Sequence, residues 1–183
     1  MGTLKALAAA ALMIPAGITA ACAADSLAVP VGSGAAALPV YGSDSGFDWD
    51  GFYAGVFGAV QASPANGTQY GIGIDAGINK QFDFVLVGGE VALQGLTNGA
   101  VETVYGQVLG RAGLVITDEV LIYAAAGLGV DLSTFAEDDM LLGGGVELAL
   151  ADDWSLRAQY LHGFALSGAN PKDQVTLGAH FHF

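Results

Sequence analysis

Six charged residues interrupt otherwise apolar stretches of this chain: Asp75, Glu90, Arg111, Asp131, Glu147 and Arg157. Carboxylates and guanidiniums in such surroundings need partners or water, because an ionised group facing hydrocarbon at mid-depth costs about 2–4 kcal/mol. Glu147 and Arg157 flank the short stretch 151–153, each three residues beyond the pair Leu150/Trp154. A tight turn there opposes them on one face of adjacent strands. Glu90 and Arg111 bear a similar relation across a longer connection. Two carboxylate–arginine pairs are therefore expected, blocking an interior channel and exchanging partners as a gate. Independent hydration of each charge is the bland alternative.

The other reactive residues offer less. His180 and His182 share one strand face, and His162 lies on another strand. A metal site needs three or four convergent ligands, so lumen-facing or interfacial histidines are the better reading. "EDD" at 137–139 could offer oxygens to a hard cation, but a solvated acidic loop is simpler. No nucleophile, base and orienting acid can be assembled. Glycine patterns such as "GLGVD" lie in strand-like segments with no following helix, which rules against a phosphate loop. No catalytic, cofactor-binding or metal-binding set is expected.

The elements that hold these residues follow from composition. Of 183 residues, 53% are hydrophobic and 13% charged, where soluble domains carry about 25% charged. No run reaches the roughly 20 apolar residues of a spanning helix. Glycine, at 28 residues, is spread through the strand-like segments, which is poor for long helices. A very apolar soluble core or a membrane β-barrel remains. The net charge of −13 leaves no basic patch to displace counterions, so nucleic acid is not an expected partner.

The first 24 residues resemble a secretory signal: one Lys, an apolar run from Ala6 to Ile18, then small residues, with cleavage after Ala23 or Ala24. Cys22, the one cysteine, leaves with that segment; a lipid attachment signal would want Leu where Thr19 stands. Residues 25–48, rich in Ala, Gly, Ser and Pro, read as a flexible periplasmic extension. The domain proper is expected at 49–183.

Eight segments of about ten residues follow, the length of a tilted membrane strand. They are 51–61, 68–79, 84–95, 104–116, 120–132, 140–150, 154–166 and 174–183. Their connections alternate, longer then short, with the longer ones about six to eight residues. Outer-membrane barrels have this order when the chain starts and ends on the periplasmic side. In each segment the bulkier apolar parity is taken as outward. Strand two then exposes Tyr70, Ile72, Ile74, Ala76 and Ile78. All six mid-strand charges fall on the opposite parity, so the polar face is expected to line a lumen. A soluble ligand-binding barrel has the reverse polarity. Phe52, Phe84, Tyr123, Trp154, Phe181 and Phe183 are expected near periplasmic strand ends, and Tyr70, Tyr105, Tyr160 and Phe164 near external ends. Aromatic rings favour that headgroup zone, so Phe52, Tyr70, Phe84, Tyr105, Tyr123, Trp154 and Tyr160 make an expected girdle.

"WDGFYAGVFGA" resembles the first strand of the opacity or porin-like family of small outer-membrane β-barrel proteins. "DDWSLRAQYLH" resembles that family's penultimate strand and "QVTLGAHFHF" its last. The transmembrane domain of OmpA shares the architecture. The resemblance covers residues 49–183. It implies an all-β, eight-stranded antiparallel up-and-down barrel in the outer membrane of a Gram-negative bacterium. Its implied partners are outer-membrane lipid, lipopolysaccharide and the barrel-assembly machinery, with Phe181 and Phe183 as the assembly signal. It implies no single activity. A structural or surface protein with a filled lumen, a narrow porin-like channel and a loop-borne adhesin are the readings to separate. Eight strands leave an interior that side chains fill, which favours the first.

Overall fold

The structure, a computed structural model, describes residues 46–133, 138–151, 153–167 and 170–183. The expected signal segment, nearly all of the expected extension, and Glu137 lie outside the described residues. Eight strands follow in order: β1 (Gly51–Ser63), β2 (Gly67–Phe82), β3 (Val85–Thr97), β4 (Glu102–Thr117), β5 (Val120–Asp131), β6 (Asp138–Ala151), β7 (Trp154–Ala165) and β8 (Lys172–His182). Each pairs antiparallel with the next, and β1 pairs with β8, so the sheet closes into a barrel.

The period-2 pattern explains the wall. One parity of each strand carries Val, Ile, Leu and Phe and is exposed on the outside; the other carries Gln, Arg, Glu, Tyr and Gly and is buried inside. Only a closed sheet spares such a wall an unpaired edge. Small residues inside make room for large ones. Tyr105 lies across Gly129, where a Cβ would sit 2.1 Å from its hydroxyl, and Tyr123 covers Gly145 in the same way.

At one end the strands are joined by the two-residue connections 83–84, 118–119 and 152–153. Asp83 takes a left-handed backbone, φ 58°, to make the first of these turns. At the other end the connections are 64–66, 98–101, 132–137 and 166–171, three to six residues long. They are shorter than the expected six to eight because pairing continues past the apolar stretch. Ala62 and Ser63, for example, add rungs opposite Thr68 and Gly67.

The tight-turn end is sealed by the segment that precedes β1. Trp49 is 1% exposed and packs among Leu86, Leu121 and Tyr123. Phe47 lies against it, ring centroids 4.5 Å apart, and its N–H donates to Asp118 O at 3.3 Å. The packed unit thus includes Phe47, two residues ahead of the expected start at Trp49.

Candidate functional site

The chemistry of this chain is inside the barrel, where strand parity aims its polar side chains at one another. The central layer joins five charges. Glu147 Oε2 accepts from Arg111 Nη2 at 2.9 Å and from Arg157 Nε at 3.0 Å. Glu90 Oε2 accepts from Arg157 Nη1, from Arg111 Nη1 at 3.3 Å and from the Tyr53 hydroxyl at 2.6 Å. Asp75 Oδ2 lies 3.7 Å from Arg157 Nη1 and 2.9 Å from His180 Nε2. The guanidiniums also lie over phenol rings: Arg111 is 4.2 Å from the Tyr123 centroid and Arg157 4.9 Å from that of Tyr53. Each cation is thus held by carboxylates at its edge and π-density on its face.

Two further polar layers stand between this one and the loop end. In the first, Gln174 Oε1 accepts from Gln94 and Gln107 at 2.8 and 2.7 Å, while the Tyr123 hydroxyl donates to Gln159. In the second, Asp139 accepts from the Tyr105 hydroxyl and from Lys172, both at 2.6 Å. Between the central and glutamine layers lies a cavity of about 10 Å³ lined by Phe57, Glu90, Arg157 and His180 among others. That is room for one water molecule.

The six charges singled out from sequence all lie on the inner wall and are buried. Glu147 and Arg157 are register partners. Glu90 and Arg111 are not: Glu90 stands opposite Leu109, and Arg111 opposite Gly88. The expectation of two separate pairs is therefore corrected to one shared network, because both arginines reach both glutamates. Asp131 stands apart near the loop end, where it accepts from the N–H of Ser133.

Two members of the expected girdle are corrected. Tyr105 and Tyr123 are buried inside the lumen; each shares the parity of the inward residues on its strand, Arg111 and Asp131 respectively. Phe52, Tyr70, Phe84, Trp154 and Tyr160 lie exposed on the outside. Phe181 stacks edge-on against both Trp154 and Phe183 on that wall.

The histidines divide. His180 and His182 are inside, while His162 is on the outer wall with Nδ1 2.8 Å from Asp173. The Ser155 hydroxyl lies 3.1 Å from His182 Nε2 and donates to Glu147 Oε1 at 2.6 Å. This is not a nucleophile relay. Glu147 sits 3.4 Å from the same Nε2 that faces the serine, where a triad needs the acid on the opposite ring nitrogen. Within the acidic stretch at 137–139, Asp139 is bound inside by Lys172 and Asp138 is exposed. Among the described residues, no three His, Cys, Asp or Glu side chains gather as metal ligands.

Sequence reasoning missed Tyr53, Lys172, Gln94 and Gln174, and it placed Asp139 in a solvated loop, not in the lumen. Parity was available as the signal for each.

No protein-family profile matches the chain, and no curated protein does. Solved structures do. Ail, the attachment invasion locus protein of Yersinia pestis, is 14% identical with TM-score 0.56, over 73% of this chain and 99% of that one. Neisserial surface protein A is 15% identical with TM-score 0.52, over 73% and 98%. A de novo designed transmembrane β-barrel is 13% identical with TM-score 0.51, over 75% and 99%. Likeness at these identities is likeness of fold. With strand number, closure and pairing all in agreement, the chain has the fold of the small eight-stranded outer-membrane β-barrels.

Proposed function

We propose that this protein is an integral outer-membrane β-barrel with a structural and surface-display role and a lumen closed to solutes. The observation that carries the reading is its inverted polarity. Large apolar side chains cover the outside, and the buried charges are held inside by one another. A soluble barrel of this kind would expose a wide apolar wall to water, at a cost of about 25 cal/mol per Å². The tight-turn end then faces the periplasm and the longer connections face outward. In this reading residues 1–24 direct export, lipid and lipopolysaccharide contact the apolar wall, and the assembly machinery reads the last strand.

A narrow channel is the second reading, favoured by polar side chains lining much of the lumen's length. It requires the arginines to exchange partners and open the central layer. Adhesion through loops has less support, since connections of three to six residues give a protein partner little surface. The decisive experiment reconstitutes folded protein in planar bilayers and records single-channel current, with gel migration before and after boiling as the check on folding. No resolved conductance is expected, together with a heat-dependent shift. Steady conductance steps would transfer the case to the channel reading. A soluble fraction with no heat shift would end the membrane reading altogether.

A further inference from the structure

Ile72 is 79% exposed, the highest value among the large apolar side chains of the described residues. Its register explains this. Ile72 on β2 stands between two glycines, Gly58 on β1 and Gly95 on β3. Across Gly95 the next outward residue is Val104 on β4. Ile72 and Val104 are thus two ridges with a missing side chain between them. The result is a groove of about 520 Å³ on the outer wall, floored by Gly95 and flanked by Tyr70, Ile72 and Val104. That volume is in the range of about 300–1,000 Å³ typical of small-molecule sites.

The groove is not uniformly apolar. At its loop-end lip stand Thr97, Glu102 and Ser133. Thr97 and Glu102 are register partners and both are exposed. Among the described residues, no ion pair engages the Glu102 carboxylate. An apolar trough running into a carboxylate and hydroxyls matches an amphiphile with one chain below and a cationic, hydrogen-bonding head above.

We infer that this groove is a lipid site: it seats one acyl chain over Gly95 and holds an ammonium-bearing headgroup at Glu102. The inference rests on the membrane reading of the barrel and deepens it. A chain in the trough covers Gly95, where a Cβ meets no atom of the described residues within 4 Å, and the flank of the exposed Ile72. The headgroup stands at the interface, where a carboxylate and an ammonium attract more strongly than in bulk water.

Gly95 makes the test clean. A Cβ built there meets nothing within 4 Å, so Gly95→Leu fills the groove without strain on the wall. Gly110→Leu is the control, since Gly110 also has open surroundings, with Ala126 O the nearest atom to its Cβ position at 3.7 Å, and it lies outside the groove. Each protein is inserted into vesicles of phosphatidylethanolamine and phosphatidylglycerol in equal amounts, extracted into mild detergent, and weighed by native mass spectrometry. The unsubstituted protein and Gly110→Leu should each keep a single phosphatidylethanolamine. Gly95→Leu should lose it. Glu102→Gln should keep a lipid but lose the preference between headgroups. Equal retention by Gly95→Leu, or no retained lipid on a protein that floats with the vesicles and shifts on boiling, overturns the site alone. A protein that neither floats nor shifts overturns the membrane reading, and the site with it.

Discussion

Glu147 and Arg157 face each other across β6 and β7, and the carboxylate oxygen that holds Arg157 also holds Arg111. The Glu147 side chain is 0% exposed, so the contact is not diluted by solvent. Removing one partner strands a buried charge, at about 3–5 kcal/mol. Glu147→Gln and Arg157→Gln should each destabilise the folded barrel by that order. The double variant should lose clearly less than the sum, with a coupling of about 0.5–3 kcal/mol. Urea unfolding in lipid vesicles measures all three; strict additivity would remove the shared network.

The two tryptophans should report opposite surroundings. Trp49 is sealed inside the tight-turn end, whereas Trp154 is exposed on the outer wall beside Phe181. In single-tryptophan variants, brominated acyl chains should quench Trp154 strongly and Trp49 weakly. Trp49→Ala should also destabilise the barrel by about 3–5 kcal/mol, as large-to-small changes in cores do. Equal quenching of both indoles would refute the placement of Trp49.

The ring of Tyr105 occupies the space that Gly129 leaves empty. Gly129→Ala should cost about 1–3 kcal/mol through overpacking, and it should displace the hydroxyl that donates to Asp139. Adding Tyr105→Leu removes the obstructing ring, so the added alanine should cost much less in that background. A penalty for Gly129→Ala that is unchanged by Tyr105→Leu would show that the ring is not its cause.

Ser155 should not behave as an activated nucleophile. It is fully buried, and it donates to Glu147 without being relayed through His182. A fluorophosphonate probe incubated with the folded protein should leave it unlabelled. Adduct mass on the peptide that contains Ser155 would contradict the geometry.

Much of this architecture was legible because a barrel strand writes its two faces as alternate letters. The charges at 75, 90, 111, 131, 147 and 157 carried the inner parity, and those letters placed them. Tyr105 and Tyr123 were misplaced for a physical reason: an aromatic ring near a strand end suits either a headgroup zone or a lumen. Only its parity with Arg111 or Asp131 separates the two. The Glu90–Arg111 register was not legible, since a four-residue connection, 98–101, fixes pairing less tightly than a two-residue turn. The contacts across the lumen were out of reach as well. Arg157 meets Glu90 from a strand 67 positions away, and no local pattern encodes which inward residues converge at one height. The plug of Phe47 was hidden by the small, polar residues around it.

Seven of the eight seams in this barrel join strands that are neighbours in the chain, linked by two to six residues. The eighth joins β1 to β8, pairing Tyr53 with His182. Hairpin seams can zip from their own turns within microseconds. The eighth has no turn to start from and must wait for both strands to meet at long range, the kind of contact that slows folding. Until then β1 and β8 are open edges able to pair with another chain. The hazards of assembly are thus gathered at one line of hydrogen bonds. There the native state is bridged by His180, which reaches from β8 past β1 to Asp75 on β2. A chaperone or insertase that guarded that single line would guard the whole fold.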